Sequence, residues 1–137
     1  MTVVEELLRG EEGGAISFGN YKLEQKAKVE NFEHVGDLLK VKTFKEITKL
    51  EKNGLFLYES VPGTAVTNFV ETESGVEFAV EGAEDAQITI GLADDEEYRV
   101  SVAGTDIGTM KTGLGGKLSL SVELKAGEAV PVKVVKI

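Results

Sequence analysis

KLSLSVEL, residues 117–124, alternates polar and apolar side chains without a break, and this pattern is the strongest indication of the fold class. Successive side chains on a β-strand point to opposite faces, so the stretch has one apolar face and one solvated face. The same period of two recurs at residues 76–80, 88–92, 98–102 and 130–134. Such repetition is typical of antiparallel sheets that cover a core on one side.

Short segments rich in glycine and acidic residues separate these runs, and they are typical of turns. They occupy residues 73–75, 82–85, 93–95, 104–106, 113–116 and 126–128. Strands that follow one another at intervals of about 8–12 residues indicate a β-sandwich or barrel. We predict six or seven strands from Val66 to Ile137, and the segment 105–112 has the least regular pattern.

The first half of the chain has weaker patterns. Residues 15–23 and 38–44 are predicted to be strands because apolar and polar side chains alternate in them. Asn53-Gly54 lies between two further runs, and this dipeptide favours the type I′ turn of a β-hairpin. That hairpin would place Leu50 opposite Leu57.

A helix is the competing prediction for residues 43–52. Phe44, Ile47 and Leu50 are spaced by three residues, which would place them on one face of a short amphipathic helix. Residues 3–9 leave the same choice between helix and strand open.

Val61-Pro62-Gly63-Thr64 is the best candidate for a domain boundary. Proline fixes its own φ and favours an extended residue before it, while glycine permits a sharp turn. We therefore predict an all-β, antiparallel protein with at most one short helix. Residues 1–62 would form an N-terminal β-region on or beside an Ig-like β-sandwich of residues 63–137, and the two could share one core.

Composition excludes several classes of function. The chain has no cysteine and a single histidine, so it cannot form disulfides, thiolate metal sites or multi-histidine metal sites. Its formal net charge of −9 argues against nucleic acid or an anionic membrane as a partner. No apolar run approaches the length of a membrane span, and Glu5, Glu6, Glu11 and Glu12 interrupt any signal-like stretch. We expect a cytoplasmic protein.

No set of residues matches a known catalytic motif. A Ser or Thr triad needs a histidine, and only His34 is present, with Glu33 adjacent and Asp37 three residues on. Adjacent residues on a strand face opposite ways, so Glu33 is a poor partner for His34, and no G-x-S-x-G motif occurs. His34 is therefore predicted to be a polar loop residue. The segment Gly113–Lys117 lacks the spacing of a phosphate-binding loop, so we predict a hairpin turn there.

Acidic residues leave two chemical alternatives. Two carboxylates suffice to cleave a glycoside, but no pair among the 24 acids is marked out by its sequence context. Residues 94–97 (Asp-Asp-Glu-Glu) are predicted to be a solvated turn, with weak calcium binding left open because the EF-hand spacing is absent. We therefore assign no catalytic, cofactor-binding or metal-ligating residue.

Charge is unevenly distributed along the chain. One group contains the lysines at 40, 42, 45, 49 and 52, whereas residues 71–97 contain ten acids and no base. Both could be ordinary solvated faces, since lysines also protect strand edges against unwanted pairing. They could instead make an electrostatic contact, either within one subunit or between copies.

Aromatic residues bear on glycan binding, because carbohydrate-binding sandwiches stack sugars on exposed rings. The chain has no tryptophan. Its alternating runs predict that Phe18, Phe56, Phe78 and Tyr98 lie in the core. Tyr21 and Tyr58 are then the remaining candidates for sugar contacts.

Three stretches resemble a group of small uncharacterised bacterial proteins that often carry the label "endosialidase". They are GDLLKVKTFKEITKLEKNGLFLYESVPGTAV (36–66), GVEFAVEGAEDAQITIGL (75–92) and GKLSLSVEL (116–124). The chain has only Arg9 and Arg99 and no tryptophan, so it lacks the arginine triad and the S-x-D-x-G-x-T-W boxes of sialidases. The resemblance therefore implies a family of unknown function. Residues 97–137 also resemble accessory β-sandwich modules of glycosidases.

These observations favour a non-enzymatic binding or self-assembling β-protein that forms homo-oligomers and has a protein or glycan partner. The first alternative is a carbohydrate-binding module related to the accessory domains of glycosidases. The second is a glycoside hydrolase that uses two carboxylates.

Overall fold

The computed structural model describes residues 3–137, which form thirteen strands and one 3-10 turn, Glu12–Gly14. The all-β prediction is confirmed. The strands are β1 Leu8–Gly10, β2 Ile16–Phe18, β3 Ala27–His34, β4 Asp37–Phe44, β5 Ile47–Lys52, β6 Leu55–Val61, β7 Ala65–Thr72, β8 Gly75–Glu81, β9 Ala86–Gly91, β10 Glu97–Val102, β11 Thr105–Lys111, β12 Lys117–Val122 and β13 Val130–Lys136.

Two antiparallel sheets pack face to face. Sheet A has the strand order β1-β2-β7-β8-β13-β10-β11, and sheet B has the order β12-β9-β6-β5-β4-β3. Each sheet contains strands from both sides of Pro62, whose peptide bond with Val61 is cis. One cluster of buried apolar side chains spans both sheets and joins residues from both halves, from Leu8 to Val134.

After Pro62 the described residues form seven strands, β7 to β13, and alternation places their side chains as expected with the exception of Glu81. In β12, Leu118, Leu120 and Val122 are buried, whereas Ser119 and Ser121 are exposed. The irregular segment near residue 105 is a strand, β11. The apolar side chains of each run thus face the other sheet, where their burial drives folding.

The Asn53-Gly54 hairpin is confirmed, and residues 43–52 form no helix. Both turn residues have the positive φ of a type I′ turn, 53° and 78°. A β-bulge follows, however, so Leu50 lies opposite Tyr58 and the predicted pairing with Leu57 is wrong. Before the bulge, Phe56 is only half-buried and faces outward, so its predicted place in the core is also wrong.

Two loop predictions are wrong for topological reasons. Residues 113–116 do not close a hairpin, because they connect β11 in sheet A with β12 in sheet B. His34 ends strand β3, which lies at the edge of sheet B and has no fully buried residue. A bulge between Val29 and Phe32 interrupts the alternation of apolar and polar residues in this strand. The strand predicted at 15–23 is confined to residues 16–18.

The aromatic core is built around Phe18, Phe69, Phe78 and Tyr58, whose rings make edge-to-face and stacked contacts. The predicted burial of Phe18, Phe78 and Tyr98 is confirmed. The rings proposed for sugar contacts are both buried, with Tyr21 5% and Tyr58 0% exposed. Burial is tolerated because each hydroxyl finds a partner inside the protein.

A buried network of hydroxyls joins the two sheets at one end. Thr64 Oγ1 lies 2.9 Å from Tyr58 Oη and 2.8 Å from Ser60 Oγ. Thr48 Oγ1 donates to the Thr64 carbonyl at 2.8 Å and also contacts Thr43 Oγ1 at 2.8 Å. All five side chains are fully buried. They tie β4, β5 and β6 of sheet B to the segment that leads into β7 of sheet A.

Candidate functional site

Three lysines lie directly opposite one another on the outer face of sheet B. Lys28 on β3 is paired with Lys42 on β4, which is paired in turn with Lys49 on β5. Lys49 then faces Glu59 on β6. Adjacent strands lie about 4.8 Å apart, so the three lysines form a row roughly 10 Å long across the sheet.

The local sequence explains why these lysines face outward. In β4, Val41 and Thr43 are buried, so Lys40 and Lys42 must lie on the opposite face. In β5, Thr48 and Leu50 are buried on either side of Lys49. We call Lys28, Lys40, Lys42 and Lys49 together the lysine face.

Carboxylates pair with the outer lysines of this face but not with its centre. Glu30 Oε1 lies 3.0 Å from Lys28 Nζ and 3.9 Å from Lys40 Nζ, and Glu51 lies 3.8 Å from Lys49. A hydrogen bond from Lys28 and the two lysine charges hold the pKa of Glu30 below its ordinary value. Lys42 makes no ion pair with any residue of the described part of the chain.

Like charges directly opposite each other on neighbouring strands destabilise a sheet by roughly 0.2–1 kcal/mol per pair. The central ammonium of the row, on Lys42, has a lysine on each side. A small hollow of about 30 Å³ lies over Lys40, Lys42, Lys49 and Glu51. An anionic group above this hollow would relieve the repulsion, so the arrangement suits a ligand that carries carboxylates.

The predicted contact between the lysine group and residues 71–97 occurs at one point within the subunit. Lys52 Nζ donates to Glu71 Oε1 at 2.6 Å, and this hydrogen bond raises the pKa of Lys52. Elsewhere in the acidic zone, Asp95 and Glu96 pair with Lys111 and Lys136, at 3.2 and 3.5 Å. Contact within the subunit therefore leaves the lysine face uncovered.

The single histidine lines a groove of about 210 Å³ at the open edge between the sheets. Its floor is apolar and includes Leu39 and Phe69, and its rim includes Asp37. His34 Nε2 lies 3.2 Å from the Gly14 carbonyl oxygen, and Asp37 accepts a hydrogen bond from the Asn53 amide. Within residues 3–137, no serine, threonine or tyrosine lines this groove, so it brings no nucleophile to the histidine.

Glu81 is the one acidic side chain that is buried among the described residues. Alternation along β8 would place its side chain on the solvated face, but Tyr21 covers it and donates a hydrogen bond to its carboxylate. Val3 and Ala65 pack with Tyr21. A two-carboxylate mechanism needs two acids that face each other across a substrate site, whereas Tyr21 occupies the space over Glu81.

The acidic turn lies where the sequence places it, between β9 and β10, with Asp94 and Asp95 exposed. In residues 3–137, no group of three or more His, Asp or Glu side chains is arranged to hold a metal ion.

Sequence reasoning singled out three of the four lysines of the lysine face, Lys40, Lys42 and Lys49, but missed Lys28. The row exists only because β3 pairs with β4 in a particular register, and a bulge between Val29 and Phe32 interrupts the period of two in β3. The structure adds Lys28 to the lysine face. It places Lys45 and Lys52 outside this face, where they pair with Glu24 and Glu71.

Over the described range 3–137, the structure contains no helix with the length and apolar character of a transmembrane segment. In comparisons with protein-family models, curated proteins and solved structures, none matches this chain.

Proposed function

We propose that this chain is a non-enzymatic binding protein whose lysine face binds an acidic segment of another protein. The observation that carries the proposal is the row Lys28–Lys42–Lys49, in register and without an acidic partner at its centre, in a chain of net charge −9. Such a row costs stability in the free protein, and a bound acidic partner compensates that cost.

The spacing of the row favours an acidic helix as the binding element. Side chains at i and i+4 of a helix lie about 5–6 Å apart, close to the strand spacing of about 4.8 Å. Three glutamates on one helix face therefore match three lysines across the sheet. A long polyanion such as nucleic acid fits less well, because Glu59 continues the row beyond Lys49.

Fluorescence anisotropy with a labelled peptide tests the proposal. The peptide has about 20 residues, because shorter helices are only marginally stable in water. The peptide is alanine-rich and carries three glutamates on one helix face, and the control peptide has the same composition with the glutamates dispersed. Lys42→Gln should weaken binding about fivefold, equivalent to ~1 kcal/mol.

Lys133→Gln is the matched control, since Lys133 is an exposed lysine on β13 of sheet A. It removes the same charge from a different sheet and should leave the affinity unchanged. Equal weakening by both substitutions, or equal affinity for both peptides, would contradict a specific site.

Carbohydrate binding has less support, because the two rings proposed for sugar stacking, Tyr21 and Tyr58, are buried. Glycoside hydrolysis depends on a pair of carboxylates that face a substrate, whereas the one buried acid of the described chain, Glu81, lies beneath Tyr21. We also propose a bacterial origin, on the resemblance to the bacterial proteins named above. We propose a cytoplasmic location, on the interrupted N-terminal stretch and the lack of a long apolar run.

A further inference from the structure

Sheet edges present unpaired backbone groups to which another strand can add. The edges of this sandwich are β1 and β11 in sheet A and β12 and β3 in sheet B. Three of them carry features that hinder such pairing. β1 has only three residues, β3 is bulged between Val29 and Phe32, and the β10–β11 pairing is bulged after Val100.

β12 lacks these features. Its six residues pair with β9 in one continuous register, from Lys117 opposite Gly91 to Val122 opposite Ala86. Its two central outward side chains, Ser119 and Ser121, are small and uncharged. β12 is therefore the edge most open to a further strand.

Hydrogen bonds at both ends of β12 show which backbone groups are available. The Gly116 carbonyl accepts from Leu92 N at 2.7 Å, and Leu124 N donates to Asp85 Oδ1 at 3.1 Å. Even-numbered residues of this segment therefore turn their backbone groups toward β9. In an antiparallel ladder, the odd-numbered residues then turn N–H and C=O away from it, toward solvent.

Charges of opposite sign lie at the two ends of this edge. Lys117 begins the strand and Glu123 follows it, and both are exposed on the same face as Ser119 and Ser121. Neither makes an ion pair with a residue in the described part of the chain. Lys117 lies over the Phe56 ring, with Nζ 4.5 Å from its centroid.

We propose that β12 pairs antiparallel with β12 of a second copy of this chain, around a two-fold axis at Leu120. In this register Lys117 lies opposite Glu123 of the partner subunit, twice by symmetry, and Ser119 lies opposite Ser121 of the partner subunit. The axis falls at a pair of residues whose backbone groups face β9, so the outward groups of Ser119 and Ser121 form the new bonds.

Neighbouring registers that use the same backbone groups lose the charge match. An axis at Ser121 places Lys117 opposite Lys125 of the partner subunit, and like charges in that position are destabilising. An axis at Ser119 places Lys117 opposite a serine. Pairing at Leu120 joins the two copies of sheet B into one continuous sheet with a self-complementary interface. This inference does not depend on the proposed binding of an acidic helix.

Charge exchange tests the register by light scattering on a sizing column at 0.15 M salt. The unaltered chain should elute as a dimer, at twice the 14.7 kDa of one chain. Lys117→Glu and Glu123→Lys should each give monomers, and the double substitution should restore the dimer. An equimolar mixture of the two single variants should also dimerise, because one then presents two acids and the other two bases.

Net charge alone predicts a different result. Glu123→Lys makes the chain less acidic, so it would favour association if overall repulsion controlled assembly. A dimer of Glu123→Lys, or a monomeric double variant and mixture, would overturn the proposal. A monomeric unaltered chain at 0.1 mM would overturn it as well.

Ser119→Pro provides a second test that does not involve charge. Proline is tolerated on an edge strand where its nitrogen faces solvent, so the fold should be retained by circular dichroism while the dimer is lost. Lys42→Gln should leave the dimer intact, which separates this proposal from the proposed function. A dimer that survives Ser119→Pro would also contradict pairing through β12.

Discussion

Lys42→Glu should stabilise the free protein while it abolishes binding of an acidic helix. The substitution replaces two like-charge neighbours, Lys28 and Lys49, by two opposite-charge pairs. Cross-strand pairs of this kind are worth roughly 0.2–1 kcal/mol each. The side chain of Lys28 is 60% exposed and that of Lys49 34%, so solvent screening lowers the gain. We expect the free energy of unfolding to rise by about 0.5–1 kcal/mol in total.

Urea unfolding at low salt measures this gain. At an m-value of about 2 kcal/mol/M, the midpoint should rise by about 0.25–0.5 M, and the gain should shrink in 1 M salt. Lys133→Glu is the control, because Lys133 lies opposite Glu77 and the substitution creates a repulsive pair there. A lower midpoint for Lys42→Glu, or equal gains for both variants, would refute the electrostatic account of the row.

Thr64→Val should lower the free energy of unfolding by about 2–4 kcal/mol, because it keeps the side-chain shape but removes the hydrogen-bond partner of the buried Tyr58 and Ser60 hydroxyls. Tyr58→Phe removes one hydroxyl and leaves the Thr64–Ser60 contact, so it should lower the free energy of unfolding by only about 1 kcal/mol. Equal losses for Thr64→Val and Tyr58→Phe in urea unfolding would contradict the network. Tyr21→Phe removes the hydroxyl that donates to the buried Glu81 carboxylate and should cost about 1–3 kcal/mol. A thermal unfolding curve unchanged by that substitution would show that the hydroxyl does not support Glu81.

Side-chain periodicity predicts strands where one face of the strand meets the core. This condition holds for β12, in which buried and exposed residues alternate throughout. It is interrupted in β3, where a bulge places the inward-facing Val29 and Phe32 three residues apart and no residue is fully buried. The bulge after the Asn53-Gly54 turn is also invisible to periodicity, since one extra residue shifts the pairing of Leu50 without changing the composition of either strand.

Burial of polar groups depends on distant segments and cannot be read from a local pattern. Glu81 continues the outward series of β8, but Tyr21, sixty residues earlier, covers it. The lysine row has the same origin, because the charges are visible in the sequence whereas their alignment follows from the register of three strands. Sequence therefore predicts the sandwich and the charged zone, and the fold alone brings Lys28 beside Lys42.

A ¹H–¹⁵N correlation spectrum recorded during titration with the acidic helical peptide tests the binding site most directly. We expect the amide signals of Lys28, Lys42 and Lys49 to shift together and saturate with one affinity, while that of Lys133 stays in place. Unchanged signals for the three lysines at saturating peptide, or larger shifts on sheet A, would contradict it.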